Sequence, residues 1–172
     1  MGGRADGVLP FQTIGALVEA GAISGPIGER QIQPASLDLT LGDVAYRVRA
    51  SFLPSAECSV AQRLDDLAMH RVDLTNGAVL ETGCVYVAPL AQGLALPAGL
   101  SGVANAKSST GRLDVFARLI TDHGTEFDRV EDGYAGPLYV EITPLTFSVL
   151  ARAGDALNQL RFRLGEPRLT HA

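Results

Sequence analysis

Hydrophobic and polar residues alternate in short runs along most of the chain. Between residues 37 and 41, Leu side chains occupy every second position, and Asp38 and Thr40 separate them. A period of two is typical of a half-buried β-strand. Similar apolar runs and alternations predict strands at 44–48, 78–81, 84–90, 93–96, 100–105, 115–121, 137–143, 146–150 and 157–163. The pairs Asn76-Gly77 and Thr82-Gly83 indicate tight turns between neighbouring strands.

Helical spacing occurs in few stretches of the chain. Pro10 precedes apolar residues at positions 11, 14, 17 and 18, and Gly21 follows as a C-terminal stop. A second helix is predicted over residues 57–69, where apolar residues share one side. So few helices cannot supply the crossovers that a parallel sheet requires. The pattern therefore predicts a mainly β fold, a distorted antiparallel β-barrel or sandwich with a few short helices.

Composition agrees with a single compact domain. The chain has 172 residues, of which 47% are hydrophobic and 19% are charged, and it contains 19 Gly and 9 Pro. This length can bury one core, and the frequent Gly and Pro fit many turns between short strands. We expect a flexible leader over residues 1–9, the domain over 10–164, and a tail or linker over 165–172.

Charge and cysteine content exclude several classes of function. The net charge is −5, whereas a protein that binds nucleic acid needs a broad basic surface. Cys58 and Cys84 are isolated, and neither a CxxC nor an HExxH motif occurs, so we expect no zinc site. Long apolar runs are also missing. We therefore expect a cytoplasmic protein that binds neither nucleic acid nor a membrane.

The stretch NAKSSTGR at residues 105–112 carries the clearest candidate chemistry. It follows a predicted strand and precedes a short helical turn, where backbone N–H groups, Lys107 and Arg112 favour an anion such as phosphate. The order of residues is not that of a Walker A loop. A second interpretation remains open from the residues alone, in which the hydroxyls cap a helix and the two basic side chains are only solvated.

Glu141 is the second candidate, on the strand predicted at 137–143. Leu138, Val140 and Ile142 share one face of this strand, so Glu141 faces the other way. An ordinary strand glutamate is exposed to solvent, and the alternative is a carboxylate directed into a pocket. The three histidines, His70, His123 and His171, have no partners in the pattern and are interpreted as bystanders.

Five motifs in a fixed order resemble the dCTP deaminase/dUTPase superfamily. They are QPASLDL at 33–39, KSSTGR at 107–112, GYAG at 133–136, Glu141, and LNQLRF at 157–162. The resemblance extends over most of the chain and is closest to the N-terminal half of a long, two-domain bacterial dCTP deaminase. It implies a distorted β-barrel that assembles as a homotrimer or pseudo-trimer, with active sites between subunits.

The resemblance also implies roles for individual residues. Glu141, five residues after Gly136, would be the proton shuttle of a deaminase, and Arg112 and Ser108 would orient water and the carboxylate. Further residues would bind the deoxynucleotide triphosphate: Lys107, Ser109, Arg129, Glu131 and Gln159. Mg²⁺ would arrive bound to the triphosphate, and no zinc would be needed.

Some features depart from the family pattern. Glu131 stands where the family usually has Asp, and the interval between Ser109 and Arg129 is longer than usual around residues 122–127. A terminal lid rich in Tyr, Lys and Gln is not found up to Ala172. Three functions therefore remain open: deamination of dCTP, release of pyrophosphate from dUTP (alone or with deamination), and a non-catalytic nucleotide-binding half of a longer chain.

Overall fold

The computed structural model describes residues 6–165. Within them the chain forms three helices, α1 (Phe11–Glu19), α2 (Val60–Leu67) and α3 (Ser108–Arg112). The strands of the first half are β1 (Gly7–Val8), β2 (Ile23–Ser24), β3 (Ile32–Gln33), β4 (Ser36–Thr40), β5 (Val44–Val48), β6 (Ala68–Asp73) and β7 (Ala78–Leu80). Those of the second half are β8 (Val85–Ala95), β9 (Leu100–Ala106), β10 (Val115–Thr121), β11 (Arg129–Val130), β12 (Ala135–Pro144), β13 (Val149–Ala151) and β14 (Ala156–Leu164).

Two six-stranded antiparallel sheets make up the body of the protein. The first has the order β11-β9-β14-β4-β3, with β1 also paired to β14. The second has the order β10-β12-β8-β5-β6, with β2 also paired to β8. Strands β7 and β13 form a separate two-stranded ribbon. The prediction of a mainly β, distorted antiparallel sandwich with a few short helices is confirmed.

The main core lies between the two sheets. Leu37 and Leu39 of β4, with Phe162 of β14, meet Leu138 and Val140 of β12, and all five are fully buried. These are alternate positions of their strands, as the period of two requires. The apolar face of β12 therefore packs inward, and the opposite face, which carries Glu141, points away from the main core.

A second, smaller core covers that opposite face. Helix α2 supplies Val60 and Leu64, which pack with Ile120 and Tyr139 of the second sheet. The helix begins at a capping box in which Ser59 and Gln62 exchange hydrogen bonds between side chain and backbone. The outer face of this sheet is therefore sheltered from water as well.

Several predicted boundaries are corrected by the structure. The helix expected over 57–69 covers only α2, because Ser59 caps its start and Ala68 adopts an extended conformation that begins β6. The strands expected at 84–90 and 93–96 join into the single strand β8. Asp38 is buried, so β4 is covered on both sides rather than half-buried.

Part of the expected leader belongs to the domain. Gly7 and Val8 pair with Leu164 and Arg163 of β14, and the N–H of Leu9 donates to the carbonyl of Phe162. The remainder of the expected leader up to residue 5, and the expected tail from residue 166, lie outside the described residues. Among the helices of the described part, none is long and apolar enough to cross a membrane.

Candidate functional site

The KSST segment forms the turn from β9 into α3. Lys107 occupies the N-cap position with extended backbone angles, and no side chain caps the helix. The hydroxyl of Thr110 donates instead to the carbonyl of Leu157 at 2.8 Å, and Ser108 and Ser109 are exposed to solvent. The capping interpretation of these hydroxyls is therefore wrong, and the Ser108 and Ser109 side chains face the solvent beside Lys107.

A cavity of about 320 Å³ opens next to this turn, and we call it the loop cavity. Its lining residues are Gln33, Asp38, Lys107, Ser108, Ser109, Arg112 and Gln159. Five of the predicted site residues are thus brought together here from α3, the turn before it and β14. They give the cavity two cationic groups, hydroxyls and an amide, which is the chemistry that binds phosphate oxygens.

Asp38 is a member of the loop cavity that was not selected from the sequence. Its carboxylate forms an ion pair with Lys107, and it is only 6% exposed. Its second oxygen, Oδ1, is buried and finds no hydrogen-bond partner in the described part of the chain. The hydroxyl of Ser36 donates to Oε1 of Gln159 at 3.2 Å, which fixes that amide beside the pair. The alternation in 37–41 indicated a polar position at Asp38, but only the pairing of β4 with β14 brings it to this cavity.

Glu141 lies on the covered outer face of β12 and is 2% exposed. The interpretation of Glu141 as an ordinary exposed strand residue is therefore wrong. Its Oε1 accepts two hydrogen bonds from Arg118, from Nη2 at 2.5 Å and from Nε at 3.2 Å. Its Oε2 is buried and has no hydrogen-bond partner within residues 6–165. A buried carboxylate with one compensated oxygen and one free oxygen is unusual, because burial normally requires that every polar atom be paired.

Arg118 is the residue most closely associated with Glu141, and it was not predicted from the sequence. It lies directly opposite Glu141 in the register of β10 and β12. Its guanidinium is 3.8 Å from the centroid of the Phe127 ring and also donates to the hydroxyl of Ser51 at 3.0 Å. The sequence carries no signal for this pair, because register between strands is not visible in a single sequence.

Arg129 and Glu131 lie at a different cavity, of about 620 Å³. Nε of Arg129 is 2.9 Å from Glu131, and Nη1 is 3.2 Å from Glu126. The hydrogen bond to Glu126, with the charges of both glutamates, raises the pKa of Arg129 above its ordinary value. Arg129 is thus held by two carboxylates on an exposed surface.

The turn between Arg129 and β12 is fixed by Tyr134. Its hydroxyl donates to the carbonyl of Pro137 at 2.6 Å and accepts from the N–H of Asp122 at 3.1 Å. Burial raises the pKa of Tyr134 to about 12. A Cβ on Gly136 would lie 2.8 Å from the Tyr134 hydroxyl, so the aromatic-x-Gly spacing has a steric reason.

Asp128 closes the loop that precedes Arg129. Its carboxylate accepts a hydrogen bond from the N–H of Leu119 at 2.8 Å, and its backbone lies in the left-handed region with φ 61°. Burial raises the pKa of Asp128 above its ordinary value, although the hydrogen bond from Leu119 and the charge of Arg118 act in the opposite direction. This carboxylate is therefore less ready to ionise than an exposed one.

The described residues contain no group of three or more His, Cys, Asp or Glu side chains that would hold a metal ion. His70 and His123 are exposed, and Cys58 and Cys84 are free thiols. His171 lies outside the described residues.

The predicted site residues thus fall into three regions of one chain. The loop cavity holds Lys107, Ser108, Ser109, Arg112 and Gln159. The outer face of β12 holds Glu141, and the larger cavity holds Arg129 and Glu131. Across the described residues, no hydrogen bond joins Glu141 to Ser108 or Arg112, and Glu141 does not line the loop cavity.

Comparisons of the sequence with known proteins all find dCTP deaminases. Residues 5–166 match the family model described as the 2'-deoxycytidine 5'-triphosphate deaminase (DCD) N-terminal domain. A dCTP deaminase of Halorubrum lacusprofundi is 27% identical over 150 residues, which are 85% of this chain and 71% of that protein. A dUMP-forming dCTP deaminase of Coprothermobacter proteolyticus is 25% identical over 142 residues, which are 81% of this chain and 72% of that protein.

Comparison with solved structures also finds a dCTP deaminase. The crystal structure of 2'-deoxycytidine 5'-triphosphate deaminase from Agrobacterium tumefaciens superimposes with a TM-score of 0.91 at 52% identity. The match covers 94% of this chain and 49% of that one, so this chain spans about half of that protein. The native dUTPase of EIAV superimposes with a TM-score of 0.50 at 14% identity, over 88% of this chain and 93% of that one. That second likeness concerns the fold alone.

Proposed function

The chain belongs to the family of 2'-deoxycytidine 5'-triphosphate deaminase N-terminal domains, and we propose that it catalyses the hydrolytic deamination of dCTP to dUTP and ammonia. The observation that carries this proposal is Glu141, a 2% exposed carboxylate with one oxygen that no group of the described residues contacts by a hydrogen bond. Such an oxygen accepts no hydrogen bond within the described residues, so its lone pairs would be left for a reacting group.

One carboxylate suffices for the proton transfers of this reaction. A water oxygen attacks C4 of cytosine while the carboxylate accepts the water proton and passes it to N3. The carboxylate then takes the proton of the new hydroxyl and gives it to the amino group. The C4–N4 bond breaks, ammonia leaves, and the C4 carbonyl of uracil remains. Glu141 would act as base and acid in turn.

The loop cavity is suited to the triphosphate. Lys107 and Arg112 supply positive charge, and Ser108, Ser109 and Gln159 supply neutral hydrogen-bonding groups at its wall. Charge-assisted hydrogen bonds of this kind are roughly twice as strong as neutral ones. In a chain whose net charge is −5, this local pair of cations would select a small anion rather than a polyanion.

A complete site would require a second copy of the chain or a related half. Glu141 and the loop cavity do not meet within one chain, but an assembly can place the loop of one subunit against the carboxylate of its neighbour. We propose a homotrimer or pseudo-trimer with this arrangement. Ser108 and Arg112 of the neighbour would then orient the attacking water and stabilise developing charge.

Arg129 and Glu131 would contact the nucleoside. Glu131 has a longer arm than the aspartate usual in the family, and it is engaged by Arg129 at 2.9 Å. Binding of a sugar hydroxyl would therefore compete with this ion pair. The pair is exposed, and exposed pairs contribute only about 0–1 kcal/mol, so the exchange would cost little.

The residues of the loop cavity fit a Mg²⁺ ion that arrives with the triphosphate. Oδ1 of Asp38 has no hydrogen-bond partner among the described residues, and Mg²⁺ commonly combines one or two carboxylates with phosphate oxygens and water. When bound, the ion would neutralise part of the triphosphate charge. Zinc has no role in the proposed chemistry.

The separation of Glu141 from the loop cavity also favours a second candidate function, that of a non-catalytic half. Such a half would bind nucleotide and complete active sites on another domain. A third candidate function is release of pyrophosphate from dUTP, alone or together with deamination. The assay described next separates it from the other two functions, because it measures pyrophosphate as well as ammonia.

The test is to incubate the 172-residue chain with dCTP and with dUTP and to measure ammonia and pyrophosphate. Release of ammonia from dCTP supports deamination. Release of pyrophosphate from dUTP shows that the chain also hydrolyses the triphosphate. Binding of dCTP without either product contradicts catalysis by this chain and favours the non-catalytic half. If neither nucleotide binds, the assignment of the loop cavity is wrong.

A further inference from the structure

We propose that Arg118 is a positioning residue that fixes the Glu141 carboxylate so that Oε2 alone exchanges protons with the substrate and water. The inference rests on the proposed function, since it assigns the reactive oxygen of the same carboxylate. It adds a residue that none of the sequence motifs contains.

The two oxygens of Glu141 have different surroundings. Oε1 accepts from both Nε and Nη2 of Arg118, while Oε2 is equally buried and accepts from no group in the described residues. An arginine that donates two hydrogen bonds to a carboxylate commonly bridges both of its oxygens. Here both donors converge on one oxygen, so the other keeps its lone pairs for a ligand.

Arg118 is itself held in place from several sides. Its Nη2 donates to the hydroxyl of Ser51 at 3.0 Å, and its Cζ lies 3.8 Å from the Phe127 ring centroid and 5.7 Å from that of Phe116. Stacking on an aromatic face and a fixed hydrogen-bond fork both restrict the guanidinium. The positive charge that compensates Glu141 is therefore held in one position relative to the carboxylate.

The longer interval before Arg129 has a role in this arrangement. Phe127 lies in the extra stretch at 122–127, and it also packs against the second core. In the same stretch, the backbone N–H of His123 donates to the carbonyl of Cys58 at 3.1 Å. The stretch thus supplies the ring on which Arg118 stacks. The hydrogen bond from His123 to Cys58 anchors this stretch to the residues just before α2.

Fixing the carboxylate matters because proton transfer depends strongly on geometry. A misplacement of about 1 Å at a reacting group can cost about 100-fold in rate. Without Arg118, the carboxylate would lose its two donors and could rotate, so either oxygen could face the substrate. Binding of the triphosphate at the loop cavity would not change.

The test compares Arg118→Gln and Arg118→Lys with the matched control Arg47→Gln. Arg47 of β5 lies on the same sheet but forms its ion pair with Glu81, at 3.0 Å, rather than with Glu141. We expect Arg118→Gln to lower kcat for ammonia release by about 100-fold, with KM for dCTP within about twofold of wild type. Arg118→Lys should recover part of kcat, and Arg47→Gln should behave as wild type. A wild-type kcat in Arg118→Gln, or an effect on KM alone, would overturn the inference.

A second measurement separates this inference from the proposed function. Unfolding of Arg118→Gln, Glu141→Gln and the double variant is measured in denaturant, together with wild type. Strongly non-additive effects support a coupled pair, and additive effects overturn it. If the wild-type chain releases no ammonia, the proposed function fails, and this cycle still decides whether Arg118 fixes Glu141. The cycle also identifies a variant that has lost its fold.

Discussion

Lys107 of the turn before α3 forms an ion pair with Asp38 of β4, a residue 69 positions away in the sequence. The pair joins the loop that carries the hydroxyls to a strand of the first sheet. Asp38 is almost fully buried, whereas the Lys107 side chain is 28% exposed. The ammonium can therefore reach a ligand in the loop cavity while one carboxylate oxygen holds it in place.

Lys107 can be examined selectively because it is the only lysine in the sequence. We expect dCTP to protect it from an amine-reactive acylating reagent, since the triphosphate would cover the ammonium in the loop cavity. Peptide mass spectrometry measures the modified fraction with and without nucleotide, and the α-amino group serves as the internal control. Equal modification of Lys107 in both samples would contradict phosphate binding at this loop.

Replacement of Lys107 by Gln should weaken binding of dCTP by about 1.5–3 kcal/mol, or roughly 10- to 150-fold in Kd, because one charge-assisted hydrogen bond is lost. Isothermal calorimetry of the nucleotide measures this change. Arg71→Gln is a suitable control, because Arg71 is exposed on β6 and does not line the loop cavity. Wild-type affinity in Lys107→Gln would exclude Lys107 as a phosphate ligand.

Asp128 should make the stability of the protein fall as pH rises through the acidic range. Burial raises the pKa of this carboxyl in the folded state, so the folded protein holds the proton more tightly than the unfolded chain does. Its contribution is fully present below the ordinary value of 3.8 and is lost as pH rises through the raised value. Asp128→Asn removes this dependence while Asn tolerates the left-handed backbone.

Denaturant unfolding of wild type and Asp128→Asn at a series of pH values checks this prediction. The stability of the variant relative to wild type should increase from pH below 3.8 towards neutral pH. A constant difference across this range would show that Asp128 titrates alike in the folded and unfolded states.

Tyr134 should ionise at a higher pH than an ordinary tyrosine in an alkaline titration. Burial raises its pKa from 10.0 to about 12, because the phenol loses hydration. Stability from the neutral phenol is present below pH 10 and is lost as pH rises through about 12. Near-ultraviolet absorbance of wild type and Tyr134→Phe measures the titration, and the variant should lack the step near pH 12. A step of the same size in both proteins would assign it to another tyrosine.

The elements that carry strong local patterns could be predicted from the sequence. The alternation of Leu and polar residues at 37–41 identified β4, and the mixture of basic and hydroxyl residues at 107–112 identified the loop that lines the cavity. Helix α1 follows in the same way from its apolar spacing after Pro10. In each case the signal lies within a few neighbouring residues.

The surroundings of Glu141 could not be predicted, because they depend on distant parts of the chain. Arg118 faces Glu141 only through the register of β10 and β12. The burial of this carboxylate depends on α2 and the residues before it, which cover the outer face of the second sheet. The position of Asp38 beside Lys107 likewise depends on how β4 pairs with β14.

Release of ammonia from dCTP by wild type and by Glu141→Gln tests the central claim most directly. Gln has nearly the same shape as Glu but cannot accept and return a proton, so we expect the rate to fall by about 10²- to 10⁴-fold. Binding of dCTP at the loop cavity should remain close to that of wild type. A variant that releases ammonia as fast as the wild-type chain would contradict the role of Glu141, and an inactive wild-type chain that binds dCTP would contradict catalysis.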